Sequence, residues 1–336
     1  MLILGLIATV ADCSEDIENF IRYHIAIGFT KLYLFVDDND LLTLKNAKKY
    51  EQVTVFNPSQ VKEHYENILT FPKFINKRDL VDKEVMVRQE LNFWIANSIA
   101  KKDGVDWILH IDIDELFFPN GHDLQTHFKS LQINNFRSAT YLNYESISTH
   151  VDSPSIYLSS EYFKINYFKN LHWFFNDKQK QLISSTSWLR EKYFNFYQNG
   201  KSAVSTYGNK IVFQDVHSII GNGPRKMGTR SDPLILHFPC ARFSDFVKKY
   251  SRLGDFPDNW QGARRAGKFI NEIHLQSRNF FKENKDDKDA LLTFFTENFV
   301  LEERNISELV ELNLAKKIDF HIKILEDLNK FPCASP

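Results

Sequence analysis

The sequence predicts an α/β protein with a mixed, mostly parallel sheet flanked by helices. Three observations predict it. Apolar runs of strand length alternate with amphipathic runs of helix length through about residue 120. The links between them are short. Acidic residues gather where two strands end, at Asp37-Asp38-Asn39-Asp40 and at Asp112 and Asp114. Open parallel sheets bind ligands beyond the carboxyl ends of their strands.

The elements follow in order. Met1 to Thr9 reads as a buried strand. Ser14 is the candidate cap of a helix running to about Ile27, with Ile17, Phe20, Ile21 and His24 at helical spacing and Gly28 closing it. Lys31 to Val36 and Val53 to Asn57 are the next strands. Strand, helix, strand with short links is a βαβ unit and implies parallel pairing. Asp82 to Ala100 is a long helix, Asp103-Gly104 a turn, and Trp107 to Ile113 a buried strand. Its period of two puts Asp112 and Asp114 on one face, with Ile111 and Ile113 on the other. Later strands are expected at Ala139 to Ser146, Tyr193 to Phe196 and Leu234 to Phe238. Phe243 to Leu253 and Ile270 to Glu283 read as helices, as does the charged tail from Asp286. The expected organisation is one domain over residues 1–285 and a helical C-terminal extension, 286–336, packed on it.

Bulk composition narrows the function. The 336 residues carry 42 basic against 43 acidic side chains, a net charge of −1, which argues against a general nucleic-acid binder. Cys13, Cys240 and Cys333 are too few and too scattered for a disulfide framework, so a reducing compartment is expected. Met1 to Val10 is apolar but lacks a basic flank, and about ten residues cannot span a bilayer. No later run is long enough, so no transmembrane segment and a cytoplasmic location are expected. Thirty Phe and 13 Tyr are read mainly as core. The aromatic segment from Tyr162 to Trp188 reads either as ordinary packing or as an acceptor platform.

Carboxylates are costly to bury unless paired or bound to a metal. Asp112 and Asp114 are therefore a candidate divalent-cation site. Magnesium or manganese takes oxygen ligands and keeps positions open for phosphate. His217 and His237 each end a short apolar run, and either is a candidate further ligand.

These residues sit in recognisable surroundings. Ile21-Arg22-Tyr23-His24-Ile25-Ala26-Ile27-Gly28-Phe29, then Leu32-Tyr33-Leu34-Phe35-Val36-Asp37-Asp38-Asn39, resembles a glycosyltransferase opening. Arg88-Gln89, then Asp106-Trp107-Ile108 and Ile111-Asp112-Ile113-Asp114-Glu115-Leu116-Phe117, resembles its Asp-x-Asp block. The likeness is to GT-A fold (Rossmann-like) glycosyltransferases of the family 2 and family 92 type, the domain of unknown function 23 group. It extends over roughly residues 1–285. Ala11-Asp12-Cys13-Ser14-Glu15 stands where that group usually has Asn-Glu, and Phe20 where it has Trp.

The resemblance implies a metal-dependent glycosyltransferase that moves a sugar from a UDP- or GDP-sugar to a hydroxyl of a glycan, protein or small molecule. It implies Asp112 and Asp114 as ligands of Mn2+ or Mg2+ and of the donor, with Asp114 the more direct metal ligand. His237, or else His217, would be the late metal-binding histidine. Asp37, Asp38, Asn39 and Arg88 would lie near the nucleoside, and Lys201 and Arg225 are candidates to face phosphate. An inverting transfer needs a base; Asp232 is the first candidate, beside Asp215, Asp245 and Asp255. Two alternatives stand beside this reading: a magnesium-dependent phosphoesterase, and a non-catalytic binder of sugar nucleotides or glycans on the same fold.

Overall fold

The computed structural model describes residues 1–37, 40–167, 176–185, 194–208, 210–254, 256, 258 and 272–330. In chain order the elements are β1 (Leu4–Val10), α1 (Ile17–Ala26), β2 (Lys31–Val36), α2 (Leu41–Ala47), β3 (Val53–Phe56), α3 (Pro58–Ile68), α4 (Val85–Lys102), β4 (Trp107–His110), β5 (Glu115–Phe118), α5 (Leu124–Ile133), β6 (Ser138–Tyr141), β7 (Asn143–Ser146) and β8 (Tyr162–Lys164). They continue as α6 (Asp177–Ser185), β9 (Lys201–Ser205), β10 (Ile211–Asp215), β11 (Ser218–Gly221), β12 (Arg225–Met227), β13 (Leu234–His237), α7 (Phe243–Leu253), α8 (Glu272–Asn284), α9 (Lys288–Phe299), α10 (Glu303–Glu311), β14 (Ala315–Lys317) and α11 (Phe320–Lys330).

The described chain forms two compact units. One holds Met1–Leu142 and Gly200–Ile235; the other holds the described parts of Asn143–Asn199, Leu236–Asn259 and Phe269–Pro336. The first is built on a seven-stranded sheet in the order β12-β6-β9-β4-β1-β2-β3. The pairs β4–β1, β1–β2, β2–β3 and β12–β6 are parallel, and β9 lies antiparallel between β4 and β6. This is the mixed, mostly parallel α/β sheet that the βαβ opening predicts. Helix α4 covers it, packing Leu91 and Phe93 with Tyr33, Phe35, Ile108 and Val204 into one buried cluster. In the second unit β7, β8 and β14 pair antiparallel, so the tail is joined to it through Ala315–Lys317. A separate cluster there packs Ile147, Leu182, Phe194, Leu301 and Leu309.

Several local expectations need correction. The first helix begins at Ile17 with Asp16 at its cap position, not at Ser14. Helices α2 and α3 fall where no helix is expected. Asp40 caps α2, accepting from the backbone N–H groups of Leu42 and Thr43 at 3.0 Å and from the Thr43 hydroxyl at 2.6 Å. That acidic residue is thus a helix cap and not a strand-end ligand. The strand expected over Ala139 to Ser146 is two strands, β6 and β7, that belong to different units. Phe194 to Phe196 do not form a strand, because the N–H groups of Asn195 and Phe196 donate to the Glu145 carboxylate at 3.0 and 2.9 Å. Tyr193 and much of the Tyr162 to Trp188 segment lie outside the described residues.

Candidate functional site

Parallel pairing brings the carboxyl ends of β1, β2 and β4 to one edge of the first unit. Val10 stands opposite Val36, and Ile7 opposite His110. The aspartate strand stops at His110. Asp112 to Glu115 form a turn, closed by the Glu115 N–H donating to the Asp112 carbonyl at 3.1 Å. The strand period therefore does not set the directions of Asp112 and Asp114. Asp114 lies partly exposed in the turn, and Glu115 is fully buried.

One face of α4 holds all three strand ends. Arg88 grips Asp37 with two bonds, Nε to Oδ1 at 2.6 Å and Nη2 to Oδ2 at 2.7 Å, and donates a third to the Val81 carbonyl at 3.0 Å. One residue on, Gln89 donates from Nε2 to Asp112 Oδ1 at 2.5 Å. A helical turn from Arg88, Asn92 donates to the Thr9 hydroxyl at 2.9 Å and accepts from the Tyr65 hydroxyl at 2.7 Å. Spacings of three and four residues place such groups along one side of a helix. Helix α4 is thus polar on a buried face, and the reason is the polar cargo of the strand ends.

The other oxygen of Asp112 accepts from Lys201, the first residue of β9. The Lys201 ammonium also lies 3.4 Å from Glu115 Oε2. Glu115 in turn accepts from the Asp112 N–H at 2.7 Å. The Lys201 side chain is 0% exposed and that of Asp112 is 26% exposed, so the ammonium sits behind the carboxylate as seen from solvent. Burial pushes the Asp112 carboxyl up, but the charge and hydrogen bond of Lys201 more than offset it and hold it below the ordinary value. Burial dominates at Glu115, whose pKa is raised well above the usual carboxylate range. At Lys201, burial opposes the charge, and the attraction of Asp112 and Glu115 prevails, so its pKa is raised.

His110, the last residue of β4, is fully buried against Phe93 and Phe213. Its Nδ1 lies 3.3 Å from the Val216 carbonyl, and burial, then Lys201, lower its pKa to about 4. It is a neutral wall of the site that the sequence reading did not single out.

The remaining expected residues are placed as follows. His217 lies between β10 and β11; its N–H donates to Asp215 Oδ1 at 2.9 Å, and its carbonyl accepts from the hydroxyl of Ser202, next to Lys201, at 3.0 Å. His237 belongs to the second unit, where its ring lies 4.7 Å from that of Tyr197. Asp232 closes a turn: its Oδ2 accepts from the N–H and hydroxyl of Thr229, both at 2.7 Å, and Lys226 lies 3.6 Å away. Burial raises its pKa, but the Thr229 bonds and Lys226 lower it more, leaving it below the ordinary value. Asp245 pairs with Arg242 at the start of α7. Arg225 donates to the Thr140 hydroxyl at 2.7 Å. Asp38, Asn39 and Asp255 lie outside the described residues.

The fit of a divalent ion can be judged from the donors. Both Asp112 side-chain oxygens already accept hydrogen bonds, one from an amide and one from an ammonium. Among the described residues, no group of three or more His, Cys, Asp or Glu side chains is arranged to hold a metal ion. A dication on Asp112 would have to displace the Gln89 amide or the Lys201 ammonium, or sit beside that buried cation.

No protein-family model matches the chain. It is similar to two curated glycosyltransferase-like proteins of Arabidopsis thaliana. One is 24% identical over 341 residues, covering 94% of this chain and 70% of the relative. The other is 27% identical over 265 residues, covering 72% of this chain and 48% of the relative. The chain thus spans about half the length of the second. Among solved structures, HddC from Yersinia pseudotuberculosis aligns at a TM-score of 0.30 with 8% identity, over 73% of this chain and 96% of that one. CMP:2-keto-3-deoxy-manno-octonic acid synthetase complexed with CTP aligns at 0.27 with 11% identity, over 61% and 74%. Likeness at those TM-scores carries no weight. The coarse similarity is to glycosyltransferase-like proteins, along most of the chain. None of the described helices is long and apolar enough to cross a membrane.

Proposed function

We propose that this protein is a glycosyltransferase that takes a sugar from a nucleotide-sugar donor, a UDP- or GDP-sugar, and passes it to a hydroxyl of a glycan, protein or small molecule. The observation that carries the reading is the strand-end edge itself. Asp37 and Asp112, at the ends of two neighbouring parallel strand pairs, are held at fixed angles by adjacent residues of one helix, Arg88 and Gln89. A carboxylate locked by a two-bond guanidinium keeps lone pairs for a ligand hydroxyl, and ribose and sugar rings offer such hydroxyls. The names of the two plant relatives support the same class.

In this reading Asp37 accepts from the nucleoside, and Asp112 and Asp114 accept from hydroxyls of the donor. During transfer the acceptor oxygen bonds to the anomeric carbon as the bond from that carbon to the diphosphate oxygen breaks. The acceptor's proton must pass to a base. Asp232 is the proposed candidate from sequence, but its Thr229 bonds and low pKa suit a turn better than a base. A manganese or magnesium ion, implied by the resemblance, would compete with the Lys201 ammonium for Asp112.

The test is a panel of sugar nucleotides read as donor hydrolysis and as transfer to simple acceptors. The wild-type chain is expected to consume one donor class, and Asp112→Asn and Asp114→Ala to lose that activity. Phosphodiester cleavage with no sugar nucleotide consumed would overturn the reading.

A further inference from the structure

We propose that Lys201 is the resident cation of this site, and that nucleotide binds here with no divalent ion on Asp112. The proposal rests on the sugar-nucleotide reading above and goes beyond it. An edge built to receive a diphosphate cannot present two uncompensated carboxylates, since like charges a few ångströms apart repel strongly in a partly buried setting. Either an exchangeable metal or a fixed cation must supply the balance. Here a fixed cation, Lys201, is bonded to Asp112.

Three observations place it. The Lys201 ammonium is wholly buried and bonded to Asp112, with Glu115 3.4 Å away. Its strand is held from both sides: β9 pairs with β4 through Ala203 to Ser205, and with β6, where Lys201 itself stands opposite Tyr141. The preceding Gly200 has φ +70°, and a Cβ there would stand 1.9 Å from the Tyr141 carbonyl oxygen, so the chain approaches Lys201 along a path only glycine can take. Meanwhile Gln89 donates to the other Asp112 oxygen, and the Asp112 N–H is taken by Glu115. A hard dication on Asp112 would displace a hydrogen-bond donor and sit beside a buried ammonium. Lys201 lies behind Asp112, so it acts through Asp112 and is a positioning residue.

The experiment uses thermal unfolding of the full chain with manganese chloride alone, with UDP or GDP in EDTA, and with nucleotide plus manganese. Manganese alone is expected to leave the wild-type midpoint unchanged, and the matching nucleotide to raise it equally in EDTA and in manganese. In Lys201→Gln, Asp112 is released, so manganese alone now raises the midpoint. Nucleotide affinity in EDTA falls by about tenfold to a hundredfold, the worth of a hydrogen bond to a charged group. Should this variant fail to fold, the wild-type arms decide alone. Stabilisation of the wild type by manganese alone, or a nucleotide effect that vanishes in EDTA and returns with manganese, overturns the resident-cation proposal and leaves the sugar-nucleotide reading standing. No effect of either nucleotide under any condition overturns both.

Discussion

At the scale of single residues, Gly200 has an outsized role because it aims Lys201. Its φ of +70° and the 1.9 Å approach of its absent Cβ to Tyr141 leave no room for a side chain. Gly200→Ala is expected to cost about 1–3 kcal/mol of stability, the range for a residue forced into a sparsely populated backbone conformation. Urea denaturation measures that loss, and an unchanged midpoint would mean that the β9 approach is not constrained. Asp112, Asp114, Arg88 and Lys201 were all legible in the sequence as polar residues in recognisable settings. Their partners were not. Lys201 and Asp112 are 89 residues apart, and Arg88 and Asp37 are 51 apart. No periodicity reports a contact at that separation. Glu115 stands in the sequence only as part of the Asp-x-Asp block, because a fully buried Glu on an apolar strand looks the same in sequence as an exposed one.

At the scale of elements, α4 is the organiser. It carries the grip on Asp37, Asp112 and Thr9 through Arg88, Gln89 and Asn92. Arg88→Ala is expected to lose about 1.5–3 kcal/mol, because it strips the charged hydrogen bonds from a mostly buried carboxylate. Arg88→Lys is expected to restore little of it, since an ammonium cannot reproduce the two-bond fork. Chemical denaturation of both variants checks this, and full rescue by lysine would show that charge alone matters. The sequence located α4 within three residues at its start and two at its end, because a long helix tolerates local ambiguity. It missed α2 and α3, whose 7 and 11 residues are recognisable mainly by caps such as Asp40 and Asn57. The acidic cluster at Asp37–Asp40 drew a ligand reading that hid the Asp40 cap.

At the scale of the whole molecule, the opening βαβ pattern was enough to predict a mostly parallel sheet. It could not predict that residues 200–235 return to that sheet after an excursion through the second unit. Such interleaving depends on β9 pairing with both β4 and β6, which is decided by packing and not by local pattern. The fold also buries histidines in neutral form. Burial lowers the pKa of His24 to about 3 and those of His110 and His321 to about 4. Their unfolded values lie near 6.5. The unfolded chain therefore binds more protons between about pH 6.5 and 4, so this stability is present above pH 6.5 and is lost as the pH falls. Each of the three contributes roughly 1.4 kcal/mol per pH unit in that window. The thermal midpoint is expected to drop steeply from pH 6.5 to pH 5, and a flat profile over that range would contradict the neutral burial of these rings.

The edge formed by Asp37, Asp112 and Asp114 is proposed to receive a nucleotide sugar. Donor hydrolysis across a sugar-nucleotide panel tests it most directly. One class of UDP- or GDP-sugar is expected to be consumed by the wild-type chain and by neither Asp112→Asn nor Asp114→Ala. Equal turnover by the wild type and both variants, or none of any donor by the wild type, would contradict it.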